Sequence, residues 1–213
     1  MTAKPAFITF EGGDGAGKST QIERLAARLR AAGVEVVTTR EPGGSPGAES
    51  IRKLLVKGAA DRWSPIAEAL LMYAARVDHI EKTIQPALNR GAVVICDRFH
   101  DSTMAYQGVA GGLGSDPVKV LERLALRELR PDITFILDLP PKSGLGRAHS
   151  DDGETRFESK GEDFHELVRR GFLEIAKAEP ARCVVIDASD TKDSTAAQIA
   201  AALKARLSHL FTT

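Results

Sequence analysis

The sequence predicts an α/β fold, a doubly wound five-stranded parallel sheet with helices on both faces. Short apolar segments without polar alternation recur along the chain, as strands covered on both faces require. Between them lie longer segments with helical apolar spacing, and that alternation implies parallel strands joined by crossover helices. A charged residue also follows strand after strand, which points to one functional edge, because ligands of such sheets bind at the carboxyl ends of the strands.

Ala6 to Phe10 is the first expected strand, and Thr20 to Ala32 the first helix, with Ile22, Leu25, Ala26 and Leu29 on one face. Gly33 ends that helix as a C′ glycine does. Val34 to Thr38 is the second strand and Glu41 to Gly47 a loop. Pro65 to Asn89 reads as a long helix, with Pro65 suited to its first turn and Pro86 implying a kink or break. Ala92 to Cys96 is the third strand, Gly108 to Pro117 a glycine-rich loop, and Ile133 to Leu137 the fourth strand. A polar stretch from Ser150 to Gly161 interrupts two helical patterns. Cys183 to Ile186 is the fifth strand, and an amphipathic helix from Ser194 to Leu210 is expected to pack on the sheet. Glu11, Arg40, Asp97 and Asp138 directly follow their strands, so they should ring one edge.

Composition narrows the function. The 213 residues are 43% hydrophobic and 27% charged, ordinary for a globular protein. A chain of this size buries roughly 70% of its unfolded surface and needs no disulfide or metal staple. Lysine plus arginine (29) balances aspartate plus glutamate (29), so no global basic field is present to hold a polynucleotide. Cys96 and Cys183 sit in apolar runs at a spacing that fits no metal site, and read as buried thiols in a reducing compartment. Met1 to Phe10 lacks the apolar core of a signal peptide, and no run approaches the ~20 apolar residues that span a bilayer. A soluble cytoplasmic protein without membrane partners is expected.

The strongest motif is Gly12-Gly13-Asp14-Gly15-Ala16-Gly17-Lys18-Ser19, which matches G-x-x-x-x-G-K-S/T between a strand and a helix. Its glycines let backbone N–H groups turn toward phosphate, and the following helix aims its positive end at the same anion. Lys18 supplies a charge to the β/γ oxygens of ATP, and Ser19 a hydroxyl to Mg²⁺. Val93-Val94-Ile95-Cys96-Asp97 ends in a carboxylate that in phosphate-loop proteins helps hold the same metal. Arg98 follows, with the bidentate geometry to bridge donor and acceptor phosphates. A GTPase should carry N/T-K-x-D after a late strand; Thr191-Lys192-Asp193 lacks the spacer. Small size argues against a mechanical ATPase, which leaves phosphoryl transfer to a small acceptor.

From about Phe7 to Ala188 the chain resembles the thymidylate kinase family of nucleoside monophosphate kinases. The resemblance rests on Phe10-Glu11-Gly12-Gly13-Asp14-Gly15-Ala16-Gly17-Lys18-Ser19-Thr20, Thr39-Arg40-Glu41-Pro42-Gly43-Gly44, Tyr73-Ala74-Ala75-Arg76, Asp97-Arg98-Phe99 and Ser102-Thr103-Met104-Ala105-Tyr106-Gln107-Gly108. It implies a phosphate-loop kinase fold, ATP and Mg²⁺, thymidine monophosphate (dTMP) as acceptor and dTDP as product. It further implies that the residues from Gly12 to Thr20 bind ATP and that Asp14 accepts from the sugar 3′-OH. Tyr73 would stack on thymine, Arg76 would donate to O4, and Gln107 would match the rest of the base edge. Tyr106 would fill the space beside C2′, Ser102 would join the acceptor pocket, and Arg98, with Arg40 or Arg52, would hold the acceptor phosphate. Helical spacing with Leu70 and Val77 by itself points Tyr73 to the core, and the resemblance points it to the base instead. The family also implies a homodimer, with apolar residues of Pro65 to Asn89 as candidate interface.

Some family members carry an arginine where this chain has Gly15, and others supply lid arginines. The chain is expected to be one kinase domain, 1–213, with a lid at about 144–161 that keeps Arg147 and Arg156. His149, Asp151 and Asp152 stand where further cations are expected. Arg156 is the expected cation at the transferring phosphoryl group, with Lys160 as second choice, and Arg147 is expected over the adenine. The alternatives are a kinase for another nucleoside monophosphate, which should differ at Arg76 and Gln107, and a nucleotide-binding module without turnover.

Overall fold

The computed structural model of the chain describes residues 5–145 and 156–211. The strands are β1 (Ala6–Gly12), β2 (Val36–Arg40), β3 (Val93–Asp97), β4 (Ile133–Asp138) and β5 (Cys183–Asp187). They form one parallel sheet in the order β2-β3-β1-β4-β5. The chain therefore leaves β1 to one side for β2 and β3 and crosses to the other for β4 and β5. That change of direction creates the switch point beside β1 where ligands of such sheets bind. Register aligns Phe10 and Arg40 with Asp97, so the residues expected to ring one edge do so.

Alternate residues of each strand supply two cores, which is why the strands read as continuous apolar runs. Ile8, Phe10, Val93, Ile95, Ile133, Phe135 and Ile186 pack under α1 (Lys18–Ala31) with the C-terminal helix. Helix α2 (Pro46–Leu55) and helix α3 (Pro65–His79) begin with serine caps, Ser45 accepting from the Ala48 N–H and Ser64 from the Ala67 N–H, each followed by proline at the first position. On this opposite face Phe7, Val94 and Cys96 pack with Tyr73, Ile80 and Ile84. After His79 the helix widens into a π-turn at Ile80–Ile84, then resumes as α4 (Gln85–Asn89). Pro86 has no N–H for the regular bond to the fourth residue before it, and of the expected kink or break the chain shows a local widening of the helix rather than an end to it.

Short α5 (His100–Thr103) runs into a second π-helical stretch, Met104–Ala110, that carries Tyr106 and Gln107. Helices α6 (Ser115–Leu126), α7 (Pro141–Leu145), α8 (Glu162–Ala178) and α9 (Lys192–Arg206) complete the layers. Helix α8 brings Val168 and Phe172 against Ala105, Tyr106 and Ile136, a third cluster directly behind the cleft. The closing helix is shorter than expected; α9 ends at Arg206 and a 3₁₀ turn, Ser208–Phe211, follows. Among the described residues no helix is long and apolar enough to cross a membrane. Cys96 and Cys183 are free and buried.

Candidate active site

A cleft of about 700 Å³ opens along the carboxyl edge of the sheet, lined by Asp14 to Gln21 on one side and by Arg76, Tyr106 and Gln107 on another. Its size suits small-molecule ligands. The loop after β1 delivers α1 into this cleft without a side-chain cap at Gly17 and without an acid in the first turn. Helices α2, α3 and α9 are each capped by a serine or threonine. The uncapped first-turn N–H groups of α1 are therefore left for an anion. Lys18 Nζ donates to the Gly12 carbonyl (3.2 Å) and the Gly13 carbonyl (2.8 Å), which folds it back over the loop. Burial, then the charge of Arg98, pulls its ammonium down to about 8. Ser19 Oγ donates to Asp97 Oδ2 at 3.0 Å, bringing a hydroxyl and a carboxylate oxygen together beside the loop.

Arg98 stands at the centre. Its backbone is left-handed (φ 65°), unusual for a residue with a side chain. Three bonds hold that turn: Arg98 N–H to Phe10 O at 2.8 Å, Cys96 Sγ to Arg98 O at 3.0 Å, and Phe99 N–H to Glu11 Oε1 at 2.7 Å. The guanidinium donates to Asp14 Oδ1 (2.6 Å), Gly12 O (3.0 Å) and Ser102 Oγ (3.1 Å). Burial alone would raise the Asp14 carboxyl, but Arg98 and Lys18 outweigh it and hold it below the ordinary value. Tyr106 donates its hydroxyl to the other Asp14 oxygen at 3.2 Å. Ser102 Oγ donates to Glu11 Oε2 at 2.6 Å; burial and then Asp101 push the Glu11 carboxyl up to about 7.

On the far side each polar group is held by a buried carboxylate. Arg76 donates through Nε to Glu41 (2.6 Å) and through one Nη to Phe99 O (3.0 Å) and Thr103 Oγ1 (3.1 Å). Its Nη1 is buried without a partner among the described residues. His79 Nδ1 lies 2.9 Å from the other Glu41 oxygen. Gln107 donates to Glu68 at 2.7 Å, and Glu68 in turn is ion-paired with Arg156.

A thymidylate kinase family profile matches residues 10–199. Over 94% of this chain and 97% of its own length, thymidylate kinase of Caulobacter vibrioides is 61% identical. This chain belongs to the thymidylate kinase family. Thymidylate kinase of Bradyrhizobium diazoefficiens is 49% identical over 94% of this chain and 90% of its own. The crystal structure of thymidylate kinase from Ehrlichia chaffeensis superposes with a TM-score of 0.77 at 37% identity, covering 93% of this chain and 98% of that one. The cleft is thus that of a phosphotransferase.

The cleft of this family member gathers most residues expected from sequence: Asp14 to Thr20, Arg40, Arg52, Arg76, Asp97, Arg98, Ser102, Tyr106 and Gln107 all line it. Tyr73 does not. It lies in the apolar cluster with Ile80, Ile84 and Phe99, and the Arg76 guanidinium sits 4.6 Å from its ring centre. Tyr73 therefore backs Arg76, and Met72 lines the cleft in its place. Helical spacing held the signal, since Met72 is four residues before Arg76 and shares its face. Arg156 is the second correction. It is 1% exposed and donates to the carbonyls of Leu55 (3.2 Å), Ala59 (3.0 Å) and Ala60 (3.1 Å), which ties it to the α2–α3 connection rather than to the phosphate loop. Lys160 lies over the rings of Phe157 and Phe164. Arg147, His149, Asp151 and Asp152 fall outside the described residues. Asp138 belongs to structure, since Arg169 holds both its oxygens, at 2.6 and 3.0 Å. Glu68 escaped sequence reasoning, and Glu41 was visible only as part of its loop motif, because a carboxylate's buried partner is not visible in the chain.

Proposed function

We propose that this protein transfers the γ-phosphoryl group of ATP to dTMP, giving ADP and dTDP. The observation that carries this reading is Arg76: it lines the same cleft as the phosphate loop, with a buried donor that has no partner among the described residues. A buried guanidinium nitrogen left unpaired is costly, so it calls for a ligand acceptor. Thymine O4 supplies one, and Gln107 offers its amide oxygen to N3–H, the adjacent donor of the same base edge. Met72 packs against the base. Asp14 accepts from the sugar 3′-OH, and Tyr106, wedged against Asp14 and the Phe157, Phe164 and Phe172 rings, leaves no slack beside C2′.

ATP lies with its phosphates on the loop and the α1 N-terminus, where Lys18 meets the β/γ oxygens. Arg98, fixed between Asp14 and Ser102, neutralises charge between donor and acceptor phosphates, with Arg40 and Arg52 toward the acceptor. The reaction asks for positioning and charge neutralisation rather than covalent chemistry from the protein. Ser19 and Asp97 present two oxygen donors side by side, and among the described residues no cluster of three metal-ligating side chains exists. That set fits Mg²⁺, which takes one or two protein oxygens and completes its shell with phosphate and water. Bound there, the ion would supply charge neutralisation for the transferring phosphate, with Ser19 and Asp97 as the residues that would hold it.

The same reading makes the chain one cytoplasmic kinase domain with a lid at about 144–161, working as a homodimer. Ile66 (42% exposed) and Leu70 (50% exposed) lie one turn apart on α3 and offer an apolar stripe for the partner. A coupled ADP-release assay with Mg-ATP and a panel of nucleoside monophosphates tests the activity. Turnover with dTMP well above UMP, dCMP, AMP and GMP is expected; preference for another base overturns the acceptor pocket and leaves the phosphate chemistry.

A further inference from the structure

We propose that Glu68 and Arg156 are positioning residues that set base selectivity by fixing which end of the Gln107 amide faces the cleft. The inference deepens the dTMP reading above and rests on it. Gln107 lines the cleft, is itself almost fully buried, and gives its amide nitrogen to Glu68 Oε1 at 2.7 Å. Glu68 is 4% exposed and pairs through its other oxygen with Arg156. A carboxylate held by a guanidinium has only acceptors to offer, so the Gln107 amide must turn its NH₂ toward Glu68. Its carbonyl oxygen is thereby turned away from Glu68 and is the acceptor that the amide offers a ligand. An acceptor at that point matches a base with a ring N–H, as thymine has, and opposes the ring acceptor of cytosine.

Arg156 makes the carboxylate dependable. It is anchored by the carbonyls of Leu55, Ala59 and Ala60, so the guanidinium cannot follow Glu68 elsewhere. Phe157, its chain neighbour, lies 5.9 Å edge-on to Tyr106 and lines the cleft. One short segment thus buttresses both the sugar side and the base side of the acceptor site. This accounts for a buried arginine whose sequence context pointed to the phosphates.

Glu68→Gln is the test, because an amide at 68 accepts or donates and frees Gln107 to present either end. The readout is the ratio of kcat/KM for dTMP over dCMP, with KM for ATP as control. A fall in that ratio of about tenfold or more is expected, with KM for ATP within twofold. Discrimination is not abolished, since the Arg76 donor still opposes the cytosine amino group. In a Gln107→Met background the same change should leave the ratio unaltered, because the effect runs through the Gln107 amide. Should Glu68→Gln fold poorly, the paired Glu68→Gln/Arg156→Met variant removes both buried charges together and is read the same way. An unchanged ratio in the folded variant, or an equal fall without Gln107, overturns the proposal. A wild-type enzyme that shows no preference for dTMP over dCMP sinks the acceptor assignment instead.

Discussion

Around Lys18 the cleft is made from sequence neighbours: the ammonium reaches carbonyls five and six residues away, and the uncapped helix α1 starts at the same lysine. Around Arg76 and Arg98 it is made from side chains that lie far apart in the chain. Glu41 meets Arg76 across 35 residues, Glu68 meets Gln107 across 39, and Asp14 meets Arg98 across 84. The donor side is a backbone device with one charge added. The Arg76–Arg98 side is a set of buried or half-buried carboxylates, each holding two side chains, one through each oxygen. Damage to the first should therefore appear in catalysis with the fold intact, and damage to the second in stability and acceptor use together.

The largest effect tests the donor side. Lys18→Met removes the only lysine on the loop and should lower kcat on the order of 10³-fold while the thermal midpoint stays within a few degrees. Steady-state kinetics beside a melting curve decide it; equal losses of stability and rate would erase the distinction. Next comes Glu41→Gln, which leaves Arg76 charged in a site where both partners are nearly inaccessible. Removing one member of such a pair costs about 3 kcal/mol, and urea unfolding should show it. The KM for dTMP should rise with it, because Arg76 loses the brace at its Nε, while KM for ATP holds.

The same contrast explains what the sequence revealed. The phosphate loop, the strands and the edge residues Glu11, Arg40 and Asp97 were legible because their signals are local: a spacing, an apolar run, a charge at its end. Tyr73 was misplaced by one residue because Met72 and Tyr73 both lie about one helical turn before Arg76, and only packing against Ile80, Ile84 and Phe99 decides between them. Arg156 was misassigned for the opposite reason. Its carbonyl partners Leu55, Ala59 and Ala60 lie nearly a hundred residues upstream and carry no signature in their side chains. Pro86 implies a kink or break because sequence shows the missing N–H, whereas the form this takes, a π-turn just before it, is a choice of the packed helix.

A smaller effect probes where the two sides meet. Gly15 is left-handed (φ 73°), and a Cβ there would run into the backbone carbonyl of Gly144 at the start of the expected lid. Gly15→Ala should cost about 1–3 kcal/mol and lower kcat, since the only relief is to push α7 away from the loop. An arginine at this position meets the same obstacle. A fully stable and active Gly15→Ala enzyme would show that the 144 region moves without consequence.

The most gradual effect, spread over more than two pH units, is a pH dependence that distinguishes the nucleotide-free from the loaded protein around Lys18. Burial, chiefly, holds the Lys18 ammonium at about 8 in the folded protein, against an ordinary value of 10.5. Between these values the unfolded chain binds more protons at this residue than the folded one, so Lys18 makes stability rise with pH across that window. The slope approaches about 1.4 kcal/mol per pH unit. Bound ATP should reverse the situation, because phosphate oxygens favour the ammonium and restore its proton. ATP binding above about pH 8 must then bring a proton with it, and affinity should fall by up to about tenfold per unit while remaining flat below pH 7. Chemical denaturation and ATP titrations at several pH values, each compared with Lys18→Met, isolate the lysine from other titrating groups. A pH-independent affinity in wild type would mean the folded-back Lys18 keeps its proton despite burial, and that its carbonyl contacts with Gly12 and Gly13 suffice to hold the charge.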